Sequence, residues 1–423
     1  MPKTLPQLNQ QYHDLFYIED QALFPLLVAM VVGAKLNAPP VWLYVIGASS
    51  GGKSTALSVF NKLPDSFARQ ISDLTPNTFL SGMKVAGKET SLLKVLKSNF
   101  IIFMKDFTTM ISKADEAKSQ IIAQMREIYD GHIVKVTGNG MVLEWGSKES
   151  PWKGTFIMAS TEAIYKIQEE FSDMGTRAIN YVLIEQDRKK TTRQSLLNKR
   201  NNEKFLADLG ALQDEVAQFV LHSIEKAPHS FDPISEDLEN EIIDVADLAS
   251  KCRSVVIRDY RGEKSLALSA EYPMRMADQL LALAQFMTYI NDGTLPQYLR
   301  RAVYKVAFDS IPKQRRMVLE IIAKHPKIQI VGTAQAMNYP PSLVRAWIED
   351  LNMFGIVERD GSGRSEYWRI KDEYRQTLVK YLGIRVVDYD LDGEDDMNVA
   401  DAGSWEEQQL LMAQSQAFDE MPV

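Results

Sequence analysis

The sequence predicts an α/β protein built around a parallel sheet, with a largely helical region and a small domain following it. Four apolar runs, at 41–46, 100–104, 155–159 and 178–184, have the composition of strands buried on both faces of a sheet. Helical patterns separate these runs, and this alternation is typical of a doubly wound α/β core. The Asn-Ala-Pro-Pro break at 37–40 separates the core from an N-terminal helical segment.

Changes in composition and the positions of Gly and Pro residues divide the 423 residues into five segments. Residues 188–311 have largely helical patterns, interrupted by Gly and Pro. After them, three helical patterns and two strands around a glycine-rich turn predict a winged helix-turn-helix. The segments are 1–40 (N-terminal helices), 41–187 (α/β core), 188–311 (helical lid), 312–385 (winged helix) and 386–423 (acidic tail, expected to be disordered).

The acidic tail sets the net charge of −8. From Asp388 onward there are eleven acidic residues and no Lys or Arg, and the rest of the chain holds 48 basic against 45 acidic residues. This near-neutral body neither demands nor forbids nucleic acid. The tail also carries the apolar residues Trp405, Leu410, Leu411, Met412 and Phe418. It is therefore expected to keep the protein soluble, to fold on the basic surface of a partner such as a replication protein, or to occupy a DNA channel as a mimic.

The remaining compositional signals favour an intracellular, cytoplasmic protein without a membrane partner. The single cysteine, Cys252, excludes an intramolecular disulfide framework and a thiolate zinc site. The most apolar early run, 22–36, is too short to span a bilayer.

The strongest motif follows the first strand run. Residues 47–54, Gly-Ala-Ser-Ser-Gly-Gly-Lys-Ser, form a complete phosphate-binding loop between a strand and a helix. Its backbone N–H groups cradle phosphates, Lys53 bridges the β- and γ-phosphates, and the Ser54 hydroxyl binds Mg²⁺. The motif therefore predicts ATP and Mg²⁺ as cofactors, with the nucleotide held by Gly47, Ser49, Ser50, Gly51, Gly52, Lys53, Ser54 and Thr55.

An acid at the end of a neighbouring strand is needed to hold Mg²⁺ or orient water. Asp106 follows the 100–104 run and is the candidate for this role. Lys105 stands where a first acid is expected, so Asp106 is either the magnesium-binding or the water-orienting acid. An exposed strand-end aspartate without a catalytic role is the alternative.

A predicted hairpin, several polar residues and a helix start lie next to these strands or follow them in the chain. Alternating residues at 132–137 and 141–145 flank a Gly-Asn-Gly turn and predict a β-hairpin. Ser160-Thr161 follows the third strand run, and Arg177 precedes the fourth. The segment 271–276, Glu-Tyr-Pro-Met-Arg-Met, opens a helix.

Together these features resemble the AAA+ superfamily. They are most similar to its branch with a hairpin before the sensor-1 strand, which contains superfamily 3 viral helicases and minichromosome-maintenance helicases. The resemblance implies an AAA+ P-loop core with a parallel sheet, a helical lid and a C-terminal winged helix. It further implies that Thr161 (or Ser160) senses the γ-phosphate, that Arg177 is a finger for a neighbouring subunit, and that Arg275 reaches a phosphate. Strand-end capping at Thr161 and a surface salt bridge at Arg177 are the alternatives.

The same resemblance implies contacts with single-stranded or duplex DNA. In a ring, the hairpins would line a central pore, with Lys135 and His132 facing the DNA backbone. In the winged helix, Arg345 is expected to be exposed while Leu343, Val344, Trp347 and Leu351 face inward. Arg359 and Arg364 flank the wing tip. The alternatives are a hairpin that is only scaffold and a winged helix that binds protein.

Three functions are consistent with these residues. The first is an ATP-hydrolysing, ring-forming DNA motor, such as a replication helicase of a phage or mobile element. The second is a nucleotide-switched DNA-binding protein or helicase loader that does not translocate. The third is a defence or signalling ATPase that scaffolds an effector.

Overall fold

The chain forms fifteen helices and thirteen strands over the residues that the structure describes. It is a computed structural model that describes residues 3–49, 52–86, 88–138, 140–170, 177–184, 187–231, 233–258, 264–267, 269–361 and 367–383. Ser50, Gly51, Arg364 and the predicted acidic tail lie outside these ranges.

The helices are α1 (Leu5–Phe16), α2 (Leu23–Gly33), α3 (Lys53–Leu57), α4 (Leu92–Leu96), α5 (Asp115–Tyr129), α6 (Ile164–Glu170), α7 (Arg188–Arg200), α8 (Asn202–Glu225), α9 (Glu236–Cys252), α10 (Met274–Ile290), α11 (Gln297–Asp309), α12 (Lys313–Lys324), α13 (Ile330–Met337), α14 (Pro341–Met353) and α15 (Asp372–Leu382). The strands are β1 (Leu43–Ile46), β2 (Ala68–Ile71), β3 (Lys84–Val85), β4 (Lys88–Glu89), β5 (Phe100–Met104), β6 (Ile133–Val136), β7 (Val142–Trp145), β8 (Gly154–Ser160), β9 (Ile179–Val182), β10 (Val256–Arg258), β11 (Lys264–Ala267), β12 (Val357–Asp360) and β13 (Tyr367–Ile370). Two 3₁₀ helices cover Ser58–Phe60 and Phe107–Ser112.

The chain divides into two compact units, Met1–Pro233 with Ala282–Leu299, and Ile234–Leu281 with Arg300–Val423. The first unit contains a five-stranded sheet in the order β2-β5-β8-β1-β9. Every pairing in it is parallel. The carboxyl ends of the strands therefore meet at one edge, with β8 between β1 and β5. This arrangement confirms the predicted α/β core with a parallel sheet.

Apolar burial explains why these runs form the centre of the sheet. Every residue of β1, β5 and β8 is buried, as expected for strands covered on both faces. Aromatic side chains fill one face of the sheet, where Trp42 packs 4.4 Å from Phe156 between ring centroids and Phe156 packs against Phe100. The inner face of the β6–β7 hairpin adds Ile133, Leu143 and Trp145 to this cluster.

Helix α2 accounts for the apolar run near the N-terminus. All eleven of its residues are buried, so the run is a core helix. No helix within the described ranges is both long and apolar enough to cross a membrane.

The second unit contains α12, α13 and α14, followed by the antiparallel pair β12–β13 and then α15. Within α14, Val344, Ile348 and Leu351 are buried, Trp347 is half-buried and Arg345 is exposed. Val344 and Leu351 thus face inward and Arg345 faces outward, as predicted. Leu343 was predicted to face inward, and this was wrong, because its side chain is 46% exposed. It precedes Val344 by one residue, and adjacent residues on a helix point in directions about 100° apart.

Candidate functional site

The phosphate-binding loop begins where β1 ends, at the carboxyl edge of the sheet. The Gly47 N–H donates to the Ser160 carbonyl at 3.2 Å, which joins the loop to the end of β8. Gly52 has a φ of 80°, a left-handed conformation that favours glycine, and it precedes the first residue of α3, Lys53. The chain therefore turns sharply from the loop into the start of α3 at the edge of the sheet, as a phosphate-binding loop requires.

The Lys53 ammonium lies across this loop. It donates to the Gly47 carbonyl at 2.8 Å and to the Ala48 carbonyl at 2.6 Å, which uses two of its three hydrogens. Burial lowers the pKa of Lys53, and the negative charge of Asp106 opposes that shift. The lysine is therefore a largely buried cation in the electrostatic field of the candidate acid.

Ser54 and Asp106 come from different elements that meet beside this lysine. The Ser54 hydroxyl donates to the Lys105 carbonyl at 3.0 Å, so the start of α3 touches the end of β5. Asp106 caps the 3₁₀ helix after β5, and its Oδ1 accepts both the Thr108 N–H at 2.9 Å and the Thr108 hydroxyl. The Lys105 side chain is exposed.

These oxygens suit a Mg²⁺ ion that is bound together with phosphates. Mg²⁺ typically takes one or two protein oxygens and completes its shell with phosphate oxygens and water. Both Thr108 bonds end on Oδ1 of Asp106, so its Oδ2 and the Ser54 hydroxyl are the two protein oxygens that could bind the ion. No group of three or more His, Cys, Asp or Glu side chains forms a metal site among the described residues.

Ser160 is the last residue of the central strand β8, and Thr161 follows it, between the strands that lead to the loop and to Asp106. Ser160 is 1% exposed, and its hydroxyl is a buried group without a hydrogen-bond partner within the described ranges. The Thr161 hydroxyl accepts the Ala163 N–H at 3.4 Å, which is the strand-end capping considered from the sequence. An unpaired buried hydroxyl is costly, so Ser160 is the stronger candidate for a ligand contact.

A cavity of about 390 Å³ opens beside the loop. This volume falls in the range of small-molecule sites. Phe16, Ile18 and Phe205 give it an apolar side, and Lys53 and Ser54 lie at the loop side. The rest of its lining consists of Gly52, Thr55, Thr191, Gln194, Ser195, Asn198, Lys199 and Asn202.

The cavity is the part of the site that the sequence reading missed. Basic residues are the most conspicuous feature of the 188–204 sequence, whereas the cavity is lined mainly by the uncharged residues of this stretch. The sequence did contain a signal for this wall, because small polar residues recur at a spacing of three or four and so share one face of a helix. They are Thr191, Gln194, Ser195, Asn198 and Asn202.

The two predicted arginines have partners inside the chain. Arg177 lies just before β9, where its Nη2 is 3.2 Å from the Asp130 carboxylate and its side chain is 12% exposed. Arg275 belongs to the second unit, where its guanidinium is 3.5 Å from Glu271. Glu271 also accepts two bonds of 2.7 Å from Arg253.

The hairpin is present as predicted, with β6 and β7 antiparallel. Lys135 shares the inner face with Ile133, and its ammonium donates to the carbonyls of Pro76 and Leu80 and to the Asn77 amide oxygen at 2.8–3.1 Å. These acceptors use all three of its hydrogens. His132 Nε2 lies 2.8 Å from Glu144. The outer face carries Val134, Val136 and Val142, which are 45–66% exposed.

Of the predicted winged-helix contacts, the structure describes two. Arg345 on α14 and Arg359 on β12 are both exposed. Arg359 lies opposite Trp368 in the β12–β13 ladder.

Comparison with known proteins yields a weak likeness. No protein-family model matches the chain, and no curated protein matches it. Among solved structures, it is similar to a candidate ATPase from Cytophaga hutchinsonii ATCC 33406. That likeness has 14% sequence identity and a TM-score of 0.41, and it covers 72% of this chain and 86% of the other.

Proposed function

We propose that this chain is an ATP-hydrolysing DNA motor that works as a ring, of the kind that serves replication in phages and mobile elements. One observation carries the nucleotide part of the proposal: Lys53, Ser54 and Asp106 converge at the sheet edge beside a nucleoside-sized cavity. Phosphates would sit on the loop, and the sugar and base would occupy the cavity.

Each residue has a distinct role in this proposal. The Lys53 ammonium would exchange its carbonyl partners for phosphate oxygens, which form stronger, charge-assisted hydrogen bonds. Bound Mg²⁺ would neutralise charge on the phosphates. Ser54 and Asp106 would hold the ion, and the Ser160 hydroxyl or Thr161 would contact the γ-phosphate. In this proposal Arg177 completes the site of a neighbouring subunit, and Arg275 reaches a phosphate.

The DNA part rests on the hairpin, the C-terminal helices and the charge of their surroundings. The exposed Arg345 and Arg359 support phosphate contacts in the second unit, where residues 313–385 hold thirteen basic and eight acidic residues. At the hairpin, His132 and the exposed valines are the groups that would meet DNA, because Lys135 is already engaged.

The surroundings of Asp106 favour a second function, that of a nucleotide-switched DNA-binding protein or helicase loader. A lysine precedes Asp106 instead of a second carboxylate, and Asp106 also serves as a helix cap. Such a site suits nucleotide binding with slow hydrolysis, in which ATP controls assembly instead of movement.

The experiment measures ATP hydrolysis with and without single-stranded DNA, and particle mass by light scattering with and without ATP. For a motor we expect a ring whose hydrolysis DNA stimulates and which Lys53→Ala reduces by on the order of a hundredfold or more. The exposed Lys166→Ala is the matched control. Assembly on ATP without DNA stimulation would support the switch, and hydrolysis that survives Lys53→Ala would contradict both.

A further inference from the structure

The wall of the cavity contributed by α7 and the first residue of α8 is polar but mostly uncharged. Thr191, Gln194, Ser195, Asn198 and Asn202 line it, and no residue of α7 is buried. Asp187 fixes the start of α7, because its carboxylate accepts the Lys189 and Lys190 N–H groups at 2.8 and 3.0 Å. These amides and hydroxyls therefore face the cavity from a capped helix.

A hydrogen-bond relay sets the orientation of two of these side chains. Asn198 Nδ2 donates to the Leu15 carbonyl at 3.2 Å, and Gln194 Nε2 donates to Asn198 Oδ1 at 3.0 Å. A backbone carbonyl only accepts, so the nitrogen of Asn198 must face Leu15 and its oxygen must face Gln194. The nitrogen of Gln194 is fixed in turn. Turning either amide over would set oxygen against oxygen.

The relay uses one of the two N–H groups of Gln194. The side chain therefore offers the cavity its oxygen as an acceptor and its second N–H as a donor, and the relay fixes which side each lies on. Phe16, Ile18 and Phe205 border the same cavity and give a planar ring an apolar surface to pack against. We propose that Gln194 reads the edge of the nucleobase and that the relay from Leu15 makes this reading selective for adenine. This inference rests on the proposed nucleotide site.

The chemistry of the purine edges explains the selectivity. Adenine presents the N6 amino donor beside the N1 acceptor at its Watson–Crick edge, and the amide of Gln194 matches this pair with two hydrogen bonds. Guanine in the same orientation presents the O6 acceptor and the N1–H donor at that edge, so the Gln194 oxygen would face another oxygen and its N–H another N–H. An amide would match this guanine edge only in the reverse order, which the relay forbids.

The test measures dissociation constants for non-hydrolysable ATP and GTP analogues by calorimetry, with Mg²⁺, on the full chain. For the wild type we expect the ATP analogue to bind at least about tenfold more tightly, as a bidentate base contact provides. Gln194→Leu should bring this ratio close to one. Asn198→Leu should also lower the ratio while the ATP analogue still binds, because Gln194 is then free to turn over.

Controls separate this inference from the proposed function. Arg193→Ala, next to Gln194 on α7 but outside the cavity lining, should keep the wild-type ratio, and thermal unfolding checks that each variant folds. Equal affinities in the wild type, or a ratio that Gln194→Leu leaves unchanged, would overturn the inference while leaving nucleotide binding intact. Binding that is absent, or insensitive to Lys53→Ala, would overturn the proposed function and the inference with it.

Discussion

At the scale of single residues, the hydrogen bonds and burial of the Lys53 ammonium determine how the loop can receive a phosphate. Two carbonyl acceptors keep it over the loop, and its burial and the carboxylate of Asp106 act on its pKa in opposite directions. A buried cation of this kind lacks full hydration, so an arriving phosphate replaces weak partners and removes little water. This pre-positioning is what we expect a phosphate site to require.

His13 gives the first prediction at this scale. It is buried beside the cavity-lining segment, its Nδ1 contacts the Ile18 carbonyl, and its Nε2 has no partner within the described ranges. Burial lowers the pKa of His13, although the Ile18 carbonyl and the nearby Asp20 oppose the shift. As pH falls below about 6.5, the unfolded chain binds a proton that the folded chain resists. The free energy of unfolding should therefore decrease as pH falls through this range.

The measurement is urea denaturation at a series of pH values between about 7.5 and 5. The decrease should be shallower in His13→Gln than in the wild type, because the side chain that resists protonation is gone. His229→Gln, at an exposed position, serves as the control and should keep the wild-type profile. Identical profiles for His13→Gln and the wild type would show that His13 does not contribute.

Residues of the site differed in how far the sequence predicted them. The loop from Gly47 to Ser54 was predictable because one local motif contains all its chemistry. Gln194 and Asn198 were not, because their role depends on the Leu15 carbonyl, which lies more than 170 residues away along the chain. The position of Asp106 was predicted, but its bonds to Thr108 depend on a 3₁₀ turn that the sequence does not signal.

At the scale of elements, the β6–β7 hairpin shows how a short insertion is fixed to the core. Trp145 is 1% exposed and donates its indole N–H to the Lys97 carbonyl at 2.5 Å. Gly146 follows with a φ of 70°, and a Cβ there would lie 2.0 Å from the Gly131 carbonyl oxygen. That oxygen accepts the Trp152 N–H at 2.9 Å, so the base of the hairpin has no room for a side chain.

We therefore predict that Gly146→Ala destabilises the protein by roughly 2 to 4 kcal/mol, the combined cost of a left-handed alanine and a backbone clash. Gly138→Ala, at the hairpin tip, is the matched control. Its Cβ would meet no atom within 4 Å, and the change should stay within about 0.5 kcal/mol. Denaturant unfolding measures both, and equal stabilities would refute the packing argument.

Elements with a strong pattern were predictable and weakly patterned ones were not. The four buried runs and the hairpin appear within a few residues of their predicted bounds. Strand β2, Ala-Arg-Gln-Ile, was missed because it lies at the sheet edge and pairs only with β5. Its two polar residues, the half-buried Arg69 and the exposed Gln70, interrupt the apolar pattern, so no apolar run marks it. The β10–β11 pair was missed for a similar reason, within a region read as helical.

At the scale of the whole molecule, charge and assembly are the quantities that matter. The net charge of −8 comes from the acidic tail, while the remaining chain is close to neutral. Long-range attraction to DNA is therefore weak in the chain as a whole. Specific clusters, such as exposed arginines of the second unit, would have to supply the DNA contacts in the proposed motor.

The last prediction concerns the proposed ring and tests whether neighbouring subunits share their nucleotide sites. Arg177 is anchored by Asp130 and lies just before the edge strand β9. If it completes a neighbour's site, Arg177→Ala and Lys53→Ala should each abolish most hydrolysis, yet a mixture should regain part of it. The reason is that some interfaces in a mixed ring pair an intact loop with an intact arginine.

The measurement is the ATPase rate of mixtures at several ratios and constant total protein. We expect the ATPase rate to be highest at intermediate ratios of the two variants. The control is a mixture of Lys53→Ala with Asp106→Asn. Both changes lie on the same side of the proposed interface, so no interface in that mixture restores a complete site. An arginine that serves its own subunit's site would give no maximum in either mixture. In that case Arg177 does not complete a neighbouring subunit's site, which would contradict the sharing of sites between subunits.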